Sequence, residues 1–557
     1  MAFLKTVRHR VAAFALAAVT LVTATAPQAV AQGDIDATEP VVVMTLGSIN
    51  KLMQDINYMS STMGQPQAGG MFAMMAGTFT QGIDTTQPIG VMVPLVNGTP
   101  QPIALVPTSD VKTVLKRLEA QTGPADELDD GTLVILLGAS AVYIRQSGNW
   151  AVLAPSQDLL DLAPADPTDL FEGMGNDFDV AVRLKMQQVP AELRGMLTGQ
   201  IRQGFEQAMA AQAGGDADAA REMAENSITQ LEQLMNETDE LMFGVNIDQS
   251  GKKMVIDTSF TAVPGSDMAA LYGSQQSIPS QFSSVIRDDA AAYYHAATSI
   301  SPEAVEQAKK SIDGSMMAVR NALAQNNLSP AQQAEITAMI DRIIELSMDS
   351  MSEGRADVGA VVLADANQFR LALGAFVADG NEAAKIVKDL AAKVENEPNA
   401  PRFKFDLSKY KGVTMHMVEA DVPESAGEAR EMFGEVLQVH VGTGEKAVYL
   451  AAGTDGEALM KEMIDAAGSD SSADRPAGQL RFKLLPILQF AQSIESNDTL
   501  AAMIEALTRS PDEGEISVVS ESISNGQKTE IFIGEGLIRA LGAAGQQAQQ
   551  QQFQGQF

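Results

Sequence analysis

The sequence predicts an α+β protein built from two duplicated units, each a mostly antiparallel sheet packed by helices on one face. Three observations carry that prediction. Short apolar runs bounded by turn residues alternate with stretches of helical periodicity, the same series of local signals occurs twice in the same order, and glycine-bearing turns join neighbouring strands. The chain has 557 residues, enough for about two to four domains.

Residues 1–31 read as a signal peptide. Lys5, Arg8 and Arg10 form a basic start, Val11 to Val22 is apolar apart from Thr20, and Ala29-Val30-Ala31 offers the small residues of a cleavage site before Gln32. The apolar stretch is shorter than the ~20 residues of a membrane span. The expectation is an exported chain, periplasmic or extracellular, with no transmembrane span after cleavage at Ala31/Gln32. Losing residues 1–31 also removes three basic side chains and no acid, so the mature protein is more acidic than the full chain's net charge of −33.

The first repeat is assigned to residues 32–275. Pro88–Val93 and Pro102–Pro107 read as a hairpin leading into a helix from Ser109, with Val111, Val114, Leu115 and Leu118 at helical spacing. Gly148–Ala154 is a strand, Val182–Met186 alternates apolar and basic residues, and Val245–Val255 turns through Gln249–Lys252. A Met-rich segment holds Met71, Met74 and Met75, and helical character runs from Ala191 to Asn236 with a break at Gly214-Gly215.

The second repeat, residues 288–541, gives the same series. Val358–Leu363 and Phe369–Phe376 form a hairpin ahead of a helix with Ala383, Ile386, Val387 and Leu390; Gly444–Leu450 corresponds to Gly148–Ala154. Leu480–Leu484 repeats the alternation of Val182–Met186, with Arg481 and Lys483 in the places of Arg183 and Lys185. Ile516–Ile533 turns through Asn525-Gly526, a strong hairpin signal. Two helices precede the first hairpin, each started by Ser-Pro, at Ser301 and Ser329. The seam falls between Ala262 and Asp288, and residues 542–557 are a Gln-rich tail expected to be disordered.

Composition removes several chemistries. With 71 acidic and 38 basic residues and no basic stripe, nucleic acid is not a partner. No cysteine exists for disulfides, thiol catalysis, thiolate metal sites or a lipid anchor. The chain contains no G-x-S-x-G, H-E-x-x-H or phosphate-loop motif. Gly442–Ala447 has glycines but leads into a strand rather than a helix, so it reads as a hairpin turn. His416 and His440 lie on strand-like segments that could bring two imidazoles onto a metal, but no third ligand is evident and solvent-facing histidines are expected. Asp126–Gly131 fails the calcium-loop pattern because Leu128 and Leu137 take ligand positions. No cofactor or metal is expected.

The stretches QPIGVMVP, PIALVPTSDVKTVLKRL and GNWAVLAPSQDLL, within residues 87–160, resemble uncharacterised secreted proteins of planctomycete type that carry a signal peptide. The resemblance implies export and an α+β repeat, and no mechanism.

The function expected is a non-enzymatic extracytoplasmic role in envelope interaction or ligand binding, with a protein or another envelope component as partner. Arg183, Lys185, Arg481 and Lys483 are candidates for holding an anionic group if their strand faces line a cleft. Met71, Met74 and Met75 are candidates for an adaptable apolar groove, which gives the alternative of a carrier for a lipid or other amphipathic ligand. A further alternative is a hydrolase that uses paired carboxylates, for which the sequence nominates no catalytic residue.

Overall fold

The computed structural model describes residues 37–554, apart from 212–227, 310–311, 313–315, 317–329, 395–399, 426, 428–429, 431–433, 469–474 and 495–496. The signal segment with Ala31 and Gln32, and the Gly214-Gly215 break, lie outside the described residues. The chain is α+β and divides into two compact units. The first runs to Gly199 and takes in Thr238–Phe260; the second comprises Gln200–Glu237 and Thr261 onward. The units divide between Phe260 and Thr261, ahead of the seam expected between Ala262 and Asp288, and Gln200–Glu237, assigned to the first repeat from the sequence, groups with the second unit.

The first unit contains β1 (Val42–Leu46), α1 (Ile49–Thr62), α2 (Pro66–Phe79), β2 (Ile89–Val93), a small hairpin β3 (Leu95–Val96) and β4 (Thr99–Pro100), β5 (Ile103–Pro107) and α3 (Val111–Thr122). There follow β6 (Asp126–Glu127), β7 (Leu133–Leu137), β8 (Ser140–Ser147), β9 (Trp150–Ala154), β10 (Val180–Lys185), the start of α4 (Ala191–Ala211), which passes into the second unit after Gly199, β11 (Thr238–Asp248) and β12 (Lys253–Ala262), which does so after Phe260. Its sheet is antiparallel in the order β6-β7-β8-β9-β5-β2-β1-β10-β11.

The second unit contains α5 (Asp267–Gly273), β13 (Ala292–Ser299), α6 (Pro330–Ser352), β14 (Arg355–Asp365), β15 (Gln368–Phe376), α7 (Gly380–Val394), β16 (Arg402–Tyr410), β17 (Val413–Asp421), β18 (Val436–Thr443) and β19 (Ala447–Gly453). It continues with α8 (Gly456–Ala466), β20 (Gly478–Lys483), α9 (Leu484–Ile494), α10 (Asp498–Thr508), β21 (Glu515–Ile523), β22 (Gly526–Gly534) and α11 (Glu535–Gln554). Its antiparallel order is β16-β17-β18-β19-β15-β14-β13-β20-β21-β22. Strand for strand, from β6 and β16 through to β11 and β21, the two orders coincide.

Helices cover both faces of each sheet rather than one. Along β5, Ile103 and Leu105 enter a core with Leu159, Leu160 and Phe171 from 3-10 turns at Asp158–Leu162 and Asp169–Phe171, whereas Val106 joins Val111 and Leu115 of α3. In the second unit, Val361 and Leu363 pack with Leu459, Met460 and Met463 of α8. The opposite face meets α9, where Phe490 lies 5.5 Å from Phe369. The physical reason is visible in the strands: continuous apolar runs such as IALVP and VGAVVL have no polar face to give to water.

The Gln-rich tail is also not a coil as far as Gln554, since α11 runs from Glu535 through it. Ala and Gln are good helix formers, no proline interrupts, and the first turns are anchored by buried Ile538 and Ala540.

Candidate functional site

The candidate site lies in the first unit between α2 and α3. Proline at its first turn starts α2, and its sequence, PQAGGMFAMMAGTF, contains no charged side chain. Asp110 caps α3, accepting hydrogen bonds from Thr113 N (3.1 Å) and Thr113 Oγ1 (2.6 Å). Val111, Val114 and Leu115 bury one face of α3, which leaves Thr113, Lys116 and Arg117, spaced three and four residues apart, on the other.

Between the helices is a recess of about 770 Å³, lined by Met74, Gly77, Gln81, Thr113, Lys116 and Arg117 and open to solvent. That volume is within the roughly 300–1,000 Å³ of small-molecule sites. The loop beneath it is fixed. Thr108, 1% exposed, donates to the Gly82 carbonyl at 2.6 Å, and Gly82 has φ +92° with the position of a Cβ only 2.9 Å from Val114 Cγ2, so only glycine fits.

Of the candidates taken from the sequence, Met74 lines this recess and is 71% exposed; Met71, one turn earlier on α2, is 41% exposed and Met75 is half-buried. Lys116 and Arg117 were not among those candidates. Neither has an ion pair among the described residues, in contrast to Lys112, which holds Glu127 at 2.8 Å.

The basic strand residues are held within their own units. Arg183 opposes buried Val43 in register, donates to the Glu172 carbonyl at 2.6 Å and faces Glu240 at 3.6 Å. Arg481 donates to the Arg287 carbonyl, lies 4.8 Å over the Tyr293 ring, and reaches Asp288 at 3.4 Å. Lys483 bonds the Asp288 carbonyl and Glu513, both at 2.9 Å. Both arginines are thus committed to backbone oxygens of their own unit. For Lys185 no side-chain partner among the described residues marks a site.

His416 and His440 are buried rather than solvent-facing, which corrects the sequence reading. His416 accepts from Asp406 N through Nδ1 (3.1 Å), has Thr443 Oγ1 3.0 Å from Nε2, and is 3% exposed; His440 is 9% exposed. In register His416 faces Val441 and Met417 faces His440, so the two rings leave opposite faces of the sheet and cannot share an ion. Burial lowers the pKa of both, with nearby Asp406 and Glu457 acting the other way. Among the described residues no three His, Asp or Glu side chains converge as metal ligands.

One cluster escaped sequence reasoning. Lys51 Nζ on α1 contacts Asp179, Asp55 Oδ2 (3.0 Å) and Asn246 Oδ1 (2.8 Å). Gln249 Nε2 donates to Asp55 at 2.7 Å, and Ile247 N donates to Asp179 at 2.6 Å. The carboxylate side chains are 6% and 7% exposed. Burial pushes the Asp179 pKa up, against Lys51 and the Ile247 amide, while Asp55 adds to the rise. For Lys51, burial works against the charge, but hydrogen bonds and attraction from Asp179 and Asp55 outweigh it and its pKa is raised. The cluster ties α1 to the ends of β10 and β11. Lys51 and Asp55 are spaced i,i+4 on α1, but no sequence spacing links them to residues 179 and 246, which the sheet order brings in.

No helix among the described residues is long and apolar enough to cross a membrane. Compared with known protein families, curated proteins and solved structures, the chain has no significant match.

Proposed function

We propose that this is an exported, non-enzymatic ligand-binding protein of the cell envelope, built from two duplicated α+β units, with its binding recess between α2 and α3 of the first. The observation that carries the reading is the recess itself: two adjacent cations without carboxylate partners face a charge-free, methionine-bearing helix in a chain with 71 acids and 38 bases. Burying an apolar group against methionines while an anion meets Arg and Lys is chemistry suited to a carrier. Duplication is supported by the coincident strand orders and by the Val-Arg-Leu-Lys and Leu-Arg-Phe-Lys strands, β10 and β20, standing at equivalent places. Export is supported by the basic, apolar and small-residue series of residues 5–31.

The hydrolase alternative has less behind it. Asp55 and Asp179, two buried carboxylates that the fold brings together, are already bridged by Lys51, which suits a structural tie better than substrate contact. Native mass spectrometry of the protein from its host's extracytoplasmic fraction tests the reading. The expected result is an N-terminus at Gln32 and a bound mass that leaves on organic extraction. A cytoplasmic chain beginning at Met1, or turnover of an ester, peptide or glycoside panel, would contradict it.

A further inference from the structure

Resting on that reading of the recess, we propose the class of its ligand: a single-chain amphiphile whose anionic oxygen head meets Arg117 and Lys116 and whose hydrocarbon tail lies along Met74 and Met71. The argument comes from comparing the two units. The apolar series Val111, Val114, Leu115 and Leu118 of α3 corresponds to Ala383, Ile386, Val387 and Leu390 of α7, which sets Lys116 against Lys388 and Arg117 against Asp389.

In the second unit the charges of α7 are answered from within. Arg342 of α6 donates to Asp389 and Glu382, both at 2.6 Å. Lys393 lies 3.4 Å from Glu335, and Lys388 bonds Asp406 at 2.7 Å. In the first unit the sign at the decisive position is reversed, Arg117 for Asp389, and the facing helix α2 offers neither acid nor base. What α6 supplies to α7 as a side chain, an outside anion supplies to α3.

The rest of the recess describes that anion. Arginine's planar fork fits two oxygens of a carboxylate, phosphate or sulfate, and lysine adds a point charge one residue away. Gln81 contributes an amide at the rim. A small inorganic anion would leave Met74 facing water, and a neutral hydrocarbon would leave both cations unanswered. An anionic head with an apolar tail satisfies both walls, once per chain, because Arg342 already closes the corresponding place in the second unit.

The test uses the full mature chain and dansyl-labelled undecanoate as fluorescent probe, displaced in turn by dodecanoate, methyl dodecanoate and inorganic phosphate. Anionic phosphatidylglycerol vesicles form a separate cosedimentation arm. Dodecanoate is expected to displace the probe at one equivalent, with the ester at least about tenfold weaker, the value of one charge-assisted hydrogen bond. The K116Q/R117Q variant is expected to lose about tenfold or more for dodecanoate and nothing for the ester, while Arg342→Gln leaves both unchanged. Trp150 fluorescence, from the only tryptophan, checks that the first unit remains folded.

Equal affinity for acid and ester, unchanged in K116Q/R117Q, would overturn the anionic head while leaving an apolar-ligand recess standing. Displacement by phosphate as strong as by dodecanoate would overturn the tail. Binding to vesicles without binding the free acid would overturn the proposal in favour of a membrane surface. No binding of probe, acid or ester would remove both the class and the carrier reading.

Discussion

Replacing Lys51 with methionine, which keeps most of the side-chain volume, tests whether the buried cluster holds the first unit together. The change deletes the contacts of Nζ with Asp179, Asp55 and Asn246. Asp179 keeps one donor, the Ile247 amide, and Asp55 keeps Gln249. Two charge-assisted contacts at about 1.5–3 kcal/mol each set the scale. Because the lysine side chain is 33% exposed, water answers part of the loss, and a cost of about 3 kcal/mol at neutral pH is expected. Trp150 lies in the first unit's core, so urea unfolding followed by its fluorescence reads that unit. The sign of the pH dependence follows from the shifts. The raised pKa of Asp179 means that its protonated form favours the fold, a contribution present at low pH and lost as pH rises through the folded value. The raised pKa of Lys51 gives stability that is full below its unfolded value and lost at alkaline pH, as the folded value is passed. The penalty of Lys51→Met should therefore be largest between neutrality and the lysine range, and smaller at acidic pH, as Asp179 takes up its proton. A loss below about 1 kcal/mol at pH 7.5, or a larger loss at pH 5 than at pH 7.5, would refute the reasoning.

Gly374→Ala should destabilise the second unit by about 1–3 kcal/mol, because the new methyl overlaps the Phe282 ring and comes within 2.9 Å of Met463 Sδ. Urea unfolding followed by circular dichroism should show the shift, with the Trp150 transition unmoved; equal stability would mean that Phe282 can repack. Arg481→Met should cost about 1–3 kcal/mol by removing the bond to the Arg287 carbonyl and the contact over Tyr293, and should leave ligand affinity unchanged. A loss of ligand affinity without a loss of stability would restore the strand arginines as a binding site.

Much of the architecture was legible in the chain because local pattern and tertiary role agree there. The strict alternation at 182–185 and 480–483, the Asn525-Gly526 turn and Pro330 as the first residue of α6 each specify one local structure, and each is found. Alternation does not say which face meets the core, however. Arg183 and Arg481 read as an outer polar face, yet they turn inward because loop carbonyls at Glu172 and Arg287 wait there. The recess was harder to see. Lys116 and Arg117 look like the ordinary wet face of an amphipathic helix until the uncharged α2 is placed opposite, although the replacement of Asp389 by Arg117 between corresponding helices was a signal available from the sequence. The Lys51 cluster joins positions up to 198 residues apart, Lys51 to Gln249, and beyond the i,i+4 pair of Lys51 and Asp55 it is strand order that creates it.

Methionine oxidation footprinting of the mature protein, with and without saturating dodecanoate, tests most directly whether the ligand sits on α2. Met74 is 71% exposed, and Met196 on α4, 53% exposed, serves as the internal reference. The expected result is rapid oxidation of Met74 in the free protein, strong protection when ligand is bound, and no change at Met196. Oxidation of Met74 at the same rate with dodecanoate demonstrably bound would place the ligand elsewhere and contradict the assignment of the recess.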